Sequence, residues 1–67
     1  MEYTNSQIRD LIREYIHSER DRRLIYRRLV DGITFEKLAE EFELSTRQTR
    51  TIVHKLEQIL FRHIPDH

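Results

Sequence analysis

The chain has 67 residues, of which 37% are hydrophobic and 36% charged, and it contains no cysteine. A disulfide or thiolate site is excluded, and the length leaves room for one small domain over 1–67 with a thin aliphatic core. Twelve basic residues balance twelve acidic ones, so the total charge argues neither for nor against nucleic acid as a partner.

The opening "MEYTNSQIRD" lacks the basic and then apolar pattern of a secretory signal. No apolar run approaches the ~18 residues of a membrane span. A cytoplasmic protein with no membrane partner is therefore expected. A single glycine (Gly32) and a single proline (Pro65) leave few helix breaks, and no strand-type alternation is sustained. The pattern predicts an all-α fold of four helices in a bundle-like domain.

The first helix, about 5–17, opens at Thr4, with Gln7 as capping-box partner. Ile8, Leu11, Ile12, Tyr15 and Ile16 follow as one apolar stripe. The second, about 19–31, follows Ser18 and carries Glu19 and Asp21 in its first turn, where the helix dipole favours acids. Leu24, Ile25 and Leu29 make its core face, and Gly32 suits a left-handed stop. The third, about 35–42, is capped by Thr34, with Ile33 able to staple onto Leu38; Leu38, Ala39 and Phe42 face inward. The fourth, about 46–63, follows Ser45 with Gln48 as its capping-box partner. Ile52, Val53, Leu56, Ile59 and Leu60 form its stripe, and Pro65 is expected to end it.

The start of this last helix is unusual. "LSTRQTRT" offers hydroxyl, amide and guanidinium groups before the apolar spacing of "IVHKLEQIL" begins. A short helix, a tight connection and a second helix with a wholly polar first turn make a helix-turn-helix pattern at the C-terminal end. Ala39 supplies the small residue such a crossing needs, and Leu38, Phe42, Leu44 and Ile52 supply the anchors. Arginine pairs bidentately with guanine and glutamine with adenine, while threonine meets a base edge or a thymine methyl. Thr46, Arg47, Gln48, Arg50 and Thr51 are therefore the expected base contacts, with double-stranded DNA as partner. Thr34 and Ser45 at helix starts, and Lys55 further along, are the expected phosphate contacts. Charge is segregated accordingly. Four cations against one anion give +3 from Ser45 to Arg62, and one cation against four anions gives −3 from Thr34 to Glu43.

The segment "ERDRRLIYRRLVDGITFEKLAEEFELSTRQTRTIVHKLEQIL" resembles region 4 of bacterial sigma factors and the related LuxR-type output domains. The matching features are "DGITFEKLAEEF", "LS" at the turn, and Arg50 two residues before Ile52. The resemblance implies a transcription regulator, bacterial or phage, that inserts its last helix into the major groove through Arg47, Gln48, Arg50 and Thr51. The family usually has glycine where Glu43 stands and a β-branched aliphatic at Thr49. Glu43 then implies mild strain or a different turn, and the Thr49 hydroxyl needs a partner. Every other sigma domain is missing, so a free-standing module is expected.

Other clusters have plainer explanations. Arg22, Arg23, Arg27 and Arg28 suit a solvated face with acidic partners, or backbone contacts by the second helix. Glu36, Glu40, Glu41 and Glu43 suit a solvated face, or a surface for a basic partner such as RNA polymerase. A protein-interaction module on the same scaffold is accordingly the alternative to a DNA binder. Pro65 breaks the alignment of His63 with His67, and no cysteine completes a zinc site, so no metal or cofactor is expected. A nucleophile triad from neighbouring His17, Ser18 and Asp21 needs a cleft and an oxyanion hole, which a four-helix domain this small rarely offers, and no enzyme is expected. Phe61 and Ile64 either cover the first helix or form a homodimer seam. A dimer would read half-sites ~34 Å apart.

Overall fold

The computed structural model describes residues 3–63. It contains four helices, α1 (Asn5–Tyr15), α2 (Glu19–Leu29), α3 (Phe35–Glu41) and α4 (Thr46–Arg62), and no strand among the described residues. None of these helices is long and apolar enough to cross a membrane.

Each helix starts on a hydroxyl. The side chains of Thr4, Ser18, Thr34 and Ser45 accept from the backbone N–H three residues on, at 3.1, 3.3, 3.2 and 3.0 Å. At α1 and α4 the partner glutamine closes the box: Gln7 Oε1 accepts from Thr4 N at 2.8 Å, and Gln48 Oε1 from Ser45 N at 3.0 Å. Each cap satisfies a donor that the helix cannot, and is worth ~1 kcal/mol.

The helix ends are set less locally. α1 stops at Tyr15, short of the expected 17, because Ile16 turns to extended backbone (φ −108°, ψ 118°) and sends its side chain into the core. The freed carbonyls at that end are taken by Arg22 of α2, whose guanidinium donates to the Ile16 and Arg13 oxygens. α2 stops at Leu29 rather than 31, and the left-handed Gly32 (φ 68°) turns the chain towards α3. α4 runs to Arg62 and is capped by His63. Pro65, the expected terminator, lies outside the described residues.

α4 is the central element and packs against all three others. The core gathers Ile12 and Ile16, Leu24 and Ile25 of α2, Leu38 of α3, and Val53, Leu56 and Leu60 of α4. Leu24, Ile25 and Leu38 lose all solvent contact, which stabilises the fold by roughly 1.5–3 kcal/mol per side chain. The rings of Tyr15 and His63 stack in parallel with centroids 3.7 Å apart, tying the end of α1 to the end of α4. The molecule measures 35 × 19 × 19 Å.

Candidate functional site

The angle between α3 and α4 is set by the residues Phe42 to Ser45. Leu44 N donates to Ala39 O at 2.8 Å and Glu43 N to Glu40 O at 3.3 Å. These are the paired bonds of a Schellman stop, which requires a left-handed residue between helix and exit strand of chain. Glu43 is that residue, with φ 56°. The left-handed turn is thus kept although glycine is absent, and the side chain carries the cost.

The first turn of α4 has one inward residue. Thr49 is fully buried, and its hydroxyl donates to Ser45 O at 2.9 Å, alongside the backbone bond from Thr49 N at 3.0 Å. The β-branched shape fills the core, and the polar atom is satisfied within the helix.

On the opposite side, Arg47, Thr51, His54 and Gln58 recur at helical spacing and form one exposed face, flanked by Lys55. The Thr51 hydroxyl donates back to Arg47 O at 3.1 Å. Gln58 Nε2 and His54 Nε2 lie 3.3 Å apart. Arg47 and Lys55 have no side-chain partner among the described residues.

The expected contacts do not all share this face. Gln48 is exposed, but its Oε1 is engaged by Ser45 N. Bidentate pairing with adenine needs that oxygen. Arg50 is drawn sideways, its guanidinium 5.4 Å from the Phe35 ring centroid, with Arg28 on the same ring at 4.2 Å. Thr46 is half-buried. Thr34 and Ser45 use an oxygen lone pair to cap α3 and α4 and keep their hydroxyl hydrogens available.

One contributor comes from another helix. A shallow depression beside the start of α4 is lined by Arg20, Leu44, Arg47, Gln48, Thr51 and Ile52. Arg20 also borders a second depression with His17, Ser18 and Lys55. Arg20 pairs with Asp21 through Nε and NH2 at 3.1 and 2.9 Å while remaining largely exposed. Helical spacing from Arg47 is enough to find His54 and Gln58 in the sequence. Arg20 carries no such local signal, because tertiary packing brings it to α4.

No known family model matches the chain, and no curated protein or solved structure is significantly similar to it. What the surface can do is therefore argued from its own chemistry.

Away from this face, one acid of α3 is engaged by α2. Glu41 is gripped by Arg27, with Nε to Oε2 at 3.1 Å and NH2 to Oε1 at 2.8 Å; Arg27 also reaches Asp31 at 2.8 Å. Hydrogen bonding from Arg27 holds the Glu41 carboxyl below its usual range, and the same bond to Glu41, helped by Asp31, raises the Arg27 guanidinium. Glu36 and Glu40 are exposed on α3, and Glu43 in the turn after it. Among the second-helix arginines, Arg22 and Arg28 bond backbone carbonyls rather than acids, Arg28 to Ile33 O at 2.8 Å.

Among the described residues no group of three His, Cys, Asp or Glu side chains could hold a metal ion. Phe61 is 55% exposed. Ile64, the other half of the expected seam, lies outside the described residues, as does His67.

Proposed function

We propose that the chain is a sequence-specific DNA-binding module of helix-turn-helix type, similar to sigma region 4, in which α4 enters the major groove. The observation that carries this reading is the pairing of a left-handed stop after α3 with an outward polar face on α4, on which Arg47 and Lys55 have no side-chain partner among the described residues. In this reading Arg47 and Thr51 meet base edges, and Lys55 and Arg20 meet phosphates. Burial of Thr49, Val53 and Leu56 behind that face holds it rigidly. Gln48 and Arg50 take supporting places: Gln48 maintains the cap and offers its amide N–H groups, and Arg50 leans towards a flanking phosphate.

The reading is tested by selecting binding sites from random duplex DNA at ~150 mM salt, where non-specific phosphate binding is weak, with the Arg47→Ala/Thr51→Ala variant alongside. Enrichment of a defined motif by the parent alone is the expected result. No enrichment by either protein overturns the reading.

A second reading is favoured by the exposed carboxylates of Glu36 and Glu40 on α3 and of Glu43 in the turn that follows. They suit a basic protein partner and would repel DNA on that side. A partner bound through them loses affinity with salt but is indifferent to Arg47→Ala.

A further inference from the structure

A second group of arginines lies away from α4. Between α1 and α2 runs a recess of about 600 Å³, walled by Arg9 and Arg13 of α1 and by Arg23 and Arg27 of α2. Its floor is apolar, made by buried Ile12 and half-buried Tyr26. Among the described residues the only acid on its lining is Glu41, and Arg27 already grips both of its oxygens. Arg9 and Arg13 make no side-chain bond or ion pair among the described residues, and Arg23 rests over the Phe42 ring at 5.9 Å and acts on Glu41 through its charge without a hydrogen bond. Three guanidiniums therefore face one recess with their hydrogen bonds to acids unmade.

We propose that this groove is a docking site for an acidic segment of a partner protein, with carboxylates on the arginines and an apolar side chain on Ile12 and Tyr26. Charge complementarity selects the partner. Arginine presents a planar fork that binds carboxylates bidentately, and its weak hydration lowers the cost of closing the site. The recess favours a peptide over duplex DNA: a phosphate backbone follows protruding charge and leaves an apolar floor empty, whereas a peptide fills it. No residue of α4 lines the groove, so it is available whether or not α4 is engaged, and it does not depend on the reading of α4 given above.

The test uses the full chain and a fluorescein-labelled synthetic peptide in which Glu and Asp flank a pair of leucines. Control peptides carry Gln and Asn for the acids, or Ser for the leucines. Fluorescence anisotropy is expected to show binding of the acidic peptide, weakened ~10-fold or more by Arg9→Gln/Arg13→Gln and weakened also by Arg23→Gln on the opposite wall. Both control peptides bind more weakly than the acidic one. Arg47→Ala/Lys55→Ala leaves the peptide affinity unchanged. Circular dichroism checks that each variant keeps its helix content, and Arg23→Gln stands as the test if the α1 pair unfolds. Equal peptide affinity in parent and groove variants overturns the proposal. So does equal binding of the acidic peptide and either control. Loss of duplex DNA binding in the groove variants without loss of peptide binding also overturns it, and makes the groove a nucleic-acid surface.

Discussion

The backbone N–H of Leu44 donates to the carbonyl of Ala39 at 2.8 Å, and this bond fixes the direction in which α4 leaves α3. It can form only because Glu43, between them, adopts φ 56°. An L-residue with a Cβ pays for that backbone with ~1 kcal/mol or more. Glu43→Gly is therefore expected to stabilise the fold by roughly 0.5–1 kcal/mol, the relief of strain being offset in part by a more flexible unfolded chain. Glu43→Val, β-branched at the same φ, is expected to destabilise it. Urea denaturation of the three proteins checks both signs.

Thr49 is the second place where the chain departs from the resembling family, and there the hydroxyl does little for stability. Ser45 O keeps its bond from Thr49 N when the hydroxyl is removed. Thr49→Val is expected to change stability by less than ~1 kcal/mol. Leu24→Ala, by contrast, opens a cavity at a fully buried site and is expected to cost roughly 2–5 kcal/mol. Thermal melts of the two variants should differ clearly.

Arg27 and Glu41 join α2 to α3, and their pairing gives a pH dependence of known sign. The Glu41 carboxyl titrates below its ordinary 4.5 in the fold, because Arg27 hydrogen-bonds the charged form. Its contribution is complete above 4.5 and is lost as the pH falls through the lower folded value. Arg27, raised above its ordinary value, stays charged throughout. The stability difference between the parent and Glu41→Gln is therefore expected to shrink on acidification below 4.5. A difference that stays constant from neutral pH into that range would show that the pair contributes nothing.

Gln48 has two possible duties that one substitution can separate. Gln48→Glu keeps an acceptor for Ser45 N and suits the helix dipole, so stability should hold within ~0.5 kcal/mol. It removes the amide N–H donors and adds a negative charge, so DNA affinity should fall. Gln48→Ala loses the side-chain half of the capping box as well. Melting curves and duplex titrations on both variants distinguish capping from base contact.

On the face proposed to meet DNA, reading a base and holding the backbone are separable. Arg47→Ala is expected to cost ~1–3 kcal/mol at one cognate base pair and to relax specificity there. Lys55→Ala and Arg20→Ala are expected to weaken all sequences alike and to flatten the salt dependence. Affinity titrations on cognate and mismatched duplexes, at several salt concentrations, check the division.

The helix starts were legible in the sequence because capping is local: Thr4 with Gln7 and Ser45 with Gln48 are separated by three residues and need no tertiary context. The apolar stripes of α1 and α4 were legible for the same reason. The end of α1 was not, since Ile16 leaves the helix to fill the core and Arg22, six residues on, closes the end. Arg50 has the right chemistry for a base contact, but the Phe35 ring that draws it away comes from α3. Phe61 has core character by composition and remains exposed, because α1 has its stripe filled by other residues. The arginine groove was invisible for a related reason. Arg9 and Arg13 lie on α1, Arg23 and Arg27 on α2, and only packing makes them one wall-to-wall site.

The central claim is that the outward face of α4 meets DNA, and amide mapping by NMR tests it most directly. The ¹⁵N-labelled chain is titrated with a short duplex, and the shifted residues are assigned. The account predicts shifts at Arg47, Thr51, His54, Lys55 and Gln58, joined by Arg20, with Arg9 and Arg13 unmoved. Shifts confined to the groove between α1 and α2, or no shifts at all, would contradict it.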